Sequence, residues 1–144
     1  MYDLERLNKI IDDIRRFFLD LEFIKIDGKN IQDPNKLHSA SMLIFGIMNR
    51  AIDLAEEMLV KNDLPMPSHY HECFSILAKS GLIDKNLAIQ LENLTRERGL
   101  FAHHYYDINH KKVLKLAKDA YIVKQFTEKV KKIVERERKN EKQR

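Results

Sequence analysis

The residues best suited to chemistry lie in one short stretch, Arg98-Gly99-Leu100-Phe101-Ala102-His103-His104-Tyr105. It combines a permanent cation, a titratable imidazole and a phenol. Arginine can hold a phosphate through paired donors and stabilise charge that develops on it. Histidine near its neutral pKa can remove a ribose 2′-hydroxyl proton or protonate a leaving 5′-oxygen. Together they suit metal-independent RNA cleavage through attack of the 2′-oxygen, with Tyr105 stacking on a base or bonding a phosphate.

The helical register gives Arg98 an unusual setting. Apolar residues recur at three-to-four spacing before and after it, at Leu87, Leu91, Leu94, Phe101 and Tyr105. Arg98 therefore falls on the buried stripe, where an unpaired guanidinium is costly and needs an anion, a carboxylate or a cleft. Tyr105 shares that face on a continuous helix.

His103 does not share this face, because five residues turn a helix by roughly 500°, which leaves it about 140° around from Arg98. Either Gly99 loosens the helix, or His103 faces a second surface. A homodimer whose copies meet here would bring two Arg98 and two His103 side chains into one cleft. The competing interpretation is an ion pair between Arg98 and Asp53 or Glu56 at the end of the bundle, with His103 a plain surface residue.

Other kinds of site find little support in the sequence. It contains no H-E-x-x-H pattern, no cysteine pair and no glycine-rich phosphate loop. His69 and His71 are expected to be solvated residues at a helix start, and Cys73 a small buried hydrophobe. We expect no metal and no cofactor.

The scaffold is expected to be all-α. The 144 residues include only 4 Gly and 3 Pro, which favours few, long helices. The first helix should end near Asp27-Gly28, with Gly28 as its left-handed cap. Asp33 should cap a second helix that begins at Pro34 and runs to about Lys61. Small side chains there, Gly46 among them, would allow another helix to approach closely.

Three further helices follow. Ser68 is expected to cap a short helix that runs to about Lys79 and ends at Gly81. Asp84 should cap a fourth helix that continues through Tyr105. Asn109 should cap the last, whose apolar face ends at Val134 and leaves residues 135–144 as a charged, frayed end. The prediction is one domain, 1–144, folded as an up-and-down bundle of four long helices plus a short one.

Net charge and hydropathy limit the kinds of partner and the cellular compartment that we expect for the protein. The net charge of +4 is compatible with a polyanion. Lysines on the last helix can line an RNA path, although most are better read as a solvated face. They are Lys111, Lys112, Lys115, Lys118, Lys124, Lys129, Lys131 and Lys132. The start of the chain lacks a signal-like apolar core, and no apolar run suits a membrane span, so we expect a soluble cytoplasmic protein.

Four stretches resemble the HepT-like branch of the HEPN superfamily, and the likeness covers nearly the whole chain. They are residues 52–59 (IDLAEEML), 67–77 (PSHYHECFSIL), 81–84 (GLID), and Arg98 followed by 103–108 (HHYYDI). The motif alone is moderately specific. Its position after the middle segment, at the end of the fourth helix, makes it a strong signature.

The resemblance implies a homodimeric HEPN bundle with a composite cleft at the dimer interface. The implied activity is that of a metal-independent endoribonuclease, the toxin of a type VII toxin–antitoxin pair. Its partner would be a minimal nucleotidyltransferase antitoxin (MntA type) that neutralises the toxin by transferring AMP to the motif tyrosine. Arg98 and His103 correspond to the catalytic residues, and Tyr105 to the modified tyrosine.

One position departs from the family pattern. The residue after the motif arginine is usually polar, and here it is Gly99, which leaves room for weakened activity. His104 and Tyr106 can each substitute in part for a neighbour, but motif spacing favours His103 and Tyr105. The alternative function is a non-catalytic subunit that binds a nucleotide or a partner nucleotidyltransferase.

Overall fold

The computed structural model describes residues 1–143, all of whose regular structure is helical. Seven α-helices are joined by short connections, three of which contain a 3₁₀ turn. The helices are α1 (Leu4–Ile24), α2 (Pro34–Lys61), α3 (Cys73–Lys79), α4 (Lys85–Arg96), α5 (Arg98–His103), α6 (His110–Asp119) and α7 (Ile122–Lys142). The 3₁₀ turns are Asn30–Gln32, Tyr70–Glu72 and Tyr105–Asp107.

The α1 helix ends earlier than the glycine signal predicts. Lys25, not Gly28, adopts the left-handed conformation that ends it, with φ of 47°. The following loop is closed by its own polar groups: Asp27 accepts from the backbone N–H of Lys29 and Asn30, and the Asn30 amide donates to the Lys25 carbonyl at 2.7 Å. The prediction of a Gly28 cap was wrong because these loop hydrogen bonds already use the residues before it.

The α2 helix begins and ends where the sequence predicts. The Asp33 side chain accepts from the Asn35 backbone N–H at 3.0 Å, and Pro34 is the first helical residue. Arg6 pairs with Glu57, Arg50 with Asp13, and Gly46 lies against Phe17. These matched positions show that α1 and α2 run antiparallel.

The segment before α3 is extended farther than expected. Ser68 caps nothing, since His69 is still in extended conformation and a 3₁₀ turn precedes the helix at Cys73. The predicted start at Ser68 was therefore wrong. The predicted stop was right: Gly81 has φ of +84° and its N–H donates to the Ala78 carbonyl.

The last two long helical regions are each divided in two. The fourth region consists of α4, capped by Asp84, and α5, with Glu97 between them. The last region consists of α6, capped by Asn109, and α7. With α1, α2 and the short α3, the predicted bundle of four long regions and a short helix is confirmed. The charged end from residue 135 is helical as far as Lys142, its fraying stays a prediction, and Arg144 lies outside the described residues.

The core lies around α2, which packs against α1, α3, α5 and α6. Its deepest members are large apolar side chains from every long region. Examples are Phe18, Ile47, Leu54, Phe74 and Phe126. Within residues 1–143, no helix is long and apolar enough to cross a bilayer.

One buried carboxylate ties α1 to α2. Asp13 is 5% exposed and accepts from Arg50 Nη2 at 2.7 Å, from Lys9 Nζ at 3.0 Å and from Arg16 Nη2 at 3.3 Å. The hydrogen bond from Lys9, together with that from Arg50, lowers the pKa of Asp13 against the opposing effect of burial. The ionised form is thus favoured in the folded state.

Replacing Asp13 by Asn should lower the free energy of unfolding by about 1–3 kcal/mol at pH 7. A carboxyl with a depressed folded pKa stabilises above its unfolded pKa, about 3.9, and loses that contribution as the pH falls through the folded value. The difference between wild type and variant should therefore shrink between pH 5 and pH 3 in urea unfolding. Asp12→Asn, at an exposed side chain 3.8 Å from Arg15, is the control and should change little. A difference that did not depend on pH would contradict this account.

Two helical glycines should respond in opposite ways to alanine. A Cβ on Gly46 would lie 2.9 Å from the Phe17 ring, whereas one on Gly99 would meet no atom within 4 Å. Gly46→Ala should cost about 1–3 kcal/mol through overpacking. Gly99→Ala should raise stability by up to about 1 kcal/mol, because alanine loses less backbone entropy. Thermal unfolding of both variants measures this, and equal shifts of the same sign would disprove the predicted α1–α2 contact.

Candidate functional site

Arg98 begins a new helix rather than continuing α4. At the junction the Glu97 N–H donates to the Leu94 carbonyl at 3.1 Å, and the Leu100 N–H donates to the Glu97 carbonyl at 3.0 Å. These are the tight i to i+3 bonds of a 3₁₀ turn. Lys112 of α6 bonds the Glu97 carboxylate at 2.8 Å and so holds the junction from outside. The predicted single helix from Asp84 through Tyr105 is therefore interrupted just before the motif.

The Arg98 side chain is half-buried among neutral groups. Its Nε donates a short hydrogen bond to Asn49 Oδ1 of α2. Its guanidinium carbon lies 5.1 Å from the centre of the Tyr70 ring and 5.7 Å from that of Phe45. Both are cation–π distances. An amide oxygen and two aromatic faces thus surround the cation.

The competing interpretation, an ion pair between Arg98 and Asp53 or Glu56, is wrong. Asp53 bonds Arg50 at 3.0 Å instead. Burial, with the nearby Asp53 charge, raises the pKa of Glu56. Among residues 1–143, no carboxylate oxygen lies within 4.0 Å of an Arg98 side-chain nitrogen. The positive charge of Arg98 therefore remains available to an anion.

The middle of α5 is anchored to α2 by aromatic packing. Phe101 is 8% exposed, and its ring centre lies 6.3 Å from that of Phe45. Because Phe45 also faces the Arg98 guanidinium, one side chain supports both the helix and the cation. Arg98 and Phe101 thus share the inward face, as the three-residue spacing predicts.

His103 is the last residue of α5 and is exposed. The His104 N–H donates to the Leu100 carbonyl at 3.1 Å, and the helix ends there. His103 therefore lies at the opposite end of α5 from Arg98, with its imidazole open to solvent. The structure places the two motif residues at the two ends of one short helix, and the described Arg98 side-chain contacts are with Asn49, Phe45 and Tyr70.

Tyr105 lies beyond the helix, in the 3₁₀ turn Tyr105–Asp107. It is 68% exposed, so the prediction that it shares the buried face of Arg98 was wrong. The reason is that α5 ends at His103, before the register reaches residue 105. Tyr106 is equally open at 69%, and its hydroxyl lies 3.5 Å from His104 Nδ1.

The remaining candidate residues are His69, His71 and Cys73, and each contacts neighbouring side chains of the fold. His71 Nδ1 lies 3.6 Å from Glu92 Oε1, and the His71 ring stacks on His69. Within the described part of the chain, no three His, Cys, Asp or Glu side chains converge as metal ligands would. Cys73 is fully buried, which raises the pKa of its thiol to about 12. This confirms the interpretation of Cys73 as a buried hydrophobe.

Several lysines of the basic last region have acidic partners. Lys112 pairs with Glu97, Lys115 with Asp119, Lys124 with Glu22 and Lys131 with Glu128. These four pairs favour a solvated, mutually neutralised face over a continuous RNA path. The path stays a prediction for the remaining lysines.

Sequence reasoning missed three residues of the site: Asn49, Phe45 and Tyr70. Phe45 and Asn49 are four residues apart on α2 and so lie on one helix face. A polar amide directly after the buried Met48 was the available signal, but such residues are common at helix surfaces. Only the tertiary structure reveals that this face meets Arg98.

Comparison with known proteins identifies the fold. A family described as Ribonuclease HepT-like matches residues 7–136. No curated protein matches the chain. Three solved structures are similar over almost their whole length. Their sequence identities to this chain are low and support a shared fold only.

The first is a toxin–antitoxin complex with AMP-PNP, with a TM-score of 0.80, 21% identity, and coverage of 87% of this chain and 96% of the other. The second is the tri-AMPylated HEPN toxin of Shewanella oneidensis in complex with MNT antitoxin, at 0.80 and 21%, covering 91% and 98%. The third is YutE of Bacillus subtilis, a cytosolic protein of unknown function, at 0.82 and 15%, covering 95% of both chains. Given this HEPN-type fold and the family match over most of its length, the chain belongs to the HepT-like ribonuclease family.

Proposed function

We propose that this protein is a metal-independent endoribonuclease and the toxin of a type VII toxin–antitoxin pair. The observation that carries the proposal is the half-buried Arg98 cation, which neutral groups hold and no described carboxylate neutralises. Such a cation in a partly desolvated setting is suited to binding a phosphodiester. It can stabilise the negative charge that develops on the phosphate as the transition state forms. Family membership supports RNA as the substrate.

The reaction needs no metal and no water in its first step. His103 accepts the proton of a ribose 2′-hydroxyl, and the 2′-oxygen attacks the adjacent phosphorus. The bond from phosphorus to the 5′-oxygen breaks, and an imidazolium returns a proton to that oxygen. The products are a 2′,3′-cyclic phosphate and a 5′-hydroxyl. Arg98 stabilises the extra negative charge on the phosphoryl oxygens.

A homodimer is part of this proposal. Arg98 and His103 occupy opposite ends of α5, and His103 faces solvent. A second copy that packs against this face would place its own His103 near the Arg98 cleft of the first. The proposal therefore includes a composite site of two Arg98 and two His103 side chains. It also includes a single domain that spans residues 1–144.

The partner is proposed to be a minimal nucleotidyltransferase of the MntA type that modifies Tyr105. The Tyr105 phenol oxygen would attack the α-phosphorus of ATP and release pyrophosphate, leaving an O-AMP-tyrosine. The exposure of Tyr105, two residues after His103, makes this possible without unfolding. The added phosphate would then compete with RNA for the nearby cations. ATP and RNA as substrates imply a cytoplasmic protein.

Replacing Arg98 or His103 by Ala should reduce RNA cleavage by about 100-fold or more, because each removes a group that acts on the transition state. Cleavage of a labelled RNA in EDTA is the measurement, with sedimentation to show that the variants keep the wild-type oligomeric state. The matched control is Arg96→Ala, since Arg96 is exposed and already paired with Glu92 at 2.7 Å. It should leave the rate nearly unchanged.

Two outcomes would contradict the proposal. Cleavage that strictly requires a divalent metal would exclude the mechanism. Wild-type protein that cleaves no RNA yet co-purifies with a nucleotidyltransferase would favour the alternative, a non-catalytic subunit that binds a nucleotide or its partner.

Replacing Tyr105 by Phe should abolish adenylylation, because it removes the attacking oxygen and leaves the ring. The protein co-expressed with its nucleotidyltransferase would be analysed by peptide mass spectrometry for AMP groups. Tyr106→Phe is the matched control, since that phenol is equally exposed on the same turn. AMP found on Tyr106 and not on Tyr105 would overturn the assignment.

A further inference from the structure

Arg98 is held by side chains from two separate parts of the fold. Asn49 and Phe45 come from one face of α2, and Tyr70 from the 3₁₀ turn that precedes α3. Arginine side chains are long and flexible, and fixing one in a single geometry costs conformational entropy. Here that cost is met in the folded protein before any ligand arrives.

The hydrogen bond to Asn49 decides which donors of Arg98 remain free. A guanidinium has five N–H donors, one on Nε and two on each terminal nitrogen. The Nε donor is occupied by Asn49 Oδ1. A side-on approach of phosphate, which uses Nε and one terminal nitrogen, would have to break this bond. The end-on approach, which uses Nη1 and Nη2, leaves it intact.

The neutrality of Asn49 matters as much as its position. A carboxylate at residue 49 would form an ion pair with Arg98 and compete with an incoming phosphate. An amide oxygen orients the guanidinium and leaves its net charge unchanged. The rings of Tyr70 and Phe45, at 5.1 and 5.7 Å, supply packing without a neutralising charge.

We propose that Asn49 is a positioning residue that presents Arg98 end-on to a phosphodiester, with Tyr70 and Phe45 flanking the guanidinium. The assignment rests on the proposed function, since it takes an RNA phosphate as the anion. Asn49 touches neither the substrate nor the reacting atoms. It acts only through the orientation and charge of Arg98.

The experiment compares Asn49→Ala and Asn49→Asp with wild type. Both should reduce kcat for RNA cleavage, by between about tenfold and 100-fold, because a misplaced catalytic group loses rate steeply. Asn49→Asp should also weaken binding of a non-cleavable oligonucleotide with 2′-deoxyribose at the scissile position, measured by fluorescence anisotropy. Its melting temperature should not fall, because the new ion pair strengthens the hold on Arg98. Asn35→Asp, at an exposed position on the same helix, controls for the change in net charge.

A double-mutant cycle separates positioning from a merely structural role. Asn49→Ala should weaken oligonucleotide binding in the wild-type background but cause no further loss in an Arg98→Ala background, since the side chain it positions is gone there. An equal loss in both backgrounds would overturn the proposal, as would Asn49→Asp with wild-type kcat and binding. If wild type cleaves RNA and both Asn49 variants do the same, this inference fails and the proposed function stands. If wild type neither cleaves RNA nor binds the oligonucleotide, both fail.

Discussion

The site depends on one unusual constraint: a half-buried arginine that has no carboxylate partner among residues 1–143. Desolvating a guanidinium is costly, and most proteins offset the cost with an acid. This fold offsets part of it with the Asn49 amide and the faces of Phe45 and Tyr70. The part of the desolvation cost that is not offset makes the position suited to an anionic ligand. A bound anion would supply the charge interaction that the described residues do not provide. Stability and function therefore compete at Arg98.

The helix α2 is the common support for this arrangement. On one side it meets α1, where Arg50 bonds the buried Asp13 and Gly46 lets the Phe17 ring approach closely. On another side, Phe45 and Asn49 meet α5 and Arg98. Residues 49 and 50 thus have different roles: Asn49 bonds the Arg98 side chain, and Arg50 fixes α2, on which Asn49 lies, against α1. A shift of α2 along α1 would move the Asn49 oxygen away from Nε, so the precision of the site depends on the α1–α2 contact.

What the sequence predicts well is local. Asp33, Asp84 and Asn109 cap helices through hydrogen bonds to backbone groups two or three residues ahead, so their effect is visible in the sequence. Lys25 and Glu97 end helices because of loop hydrogen bonds and the contact from Lys112, which periodicity does not record. Arg98 stands out because a charge interrupts an apolar stripe. Asn49 does not, because its partner is 49 residues away and its own neighbourhood looks ordinary.

The division of the fourth helical region explains why Arg98 is half-buried and His103 is exposed. A single helix continuing from α4 through Tyr105 would keep every third or fourth residue on the inward face. The interruption at Glu97 and the end of α5 at His103 shorten the inward-facing run to Arg98 and Phe101. The imidazole and both phenols are thereby released to the surface. The half-buried cation and the exposed imidazole are the two groups that the proposed two-fold homodimer would bring into one cleft, since each copy contributes both.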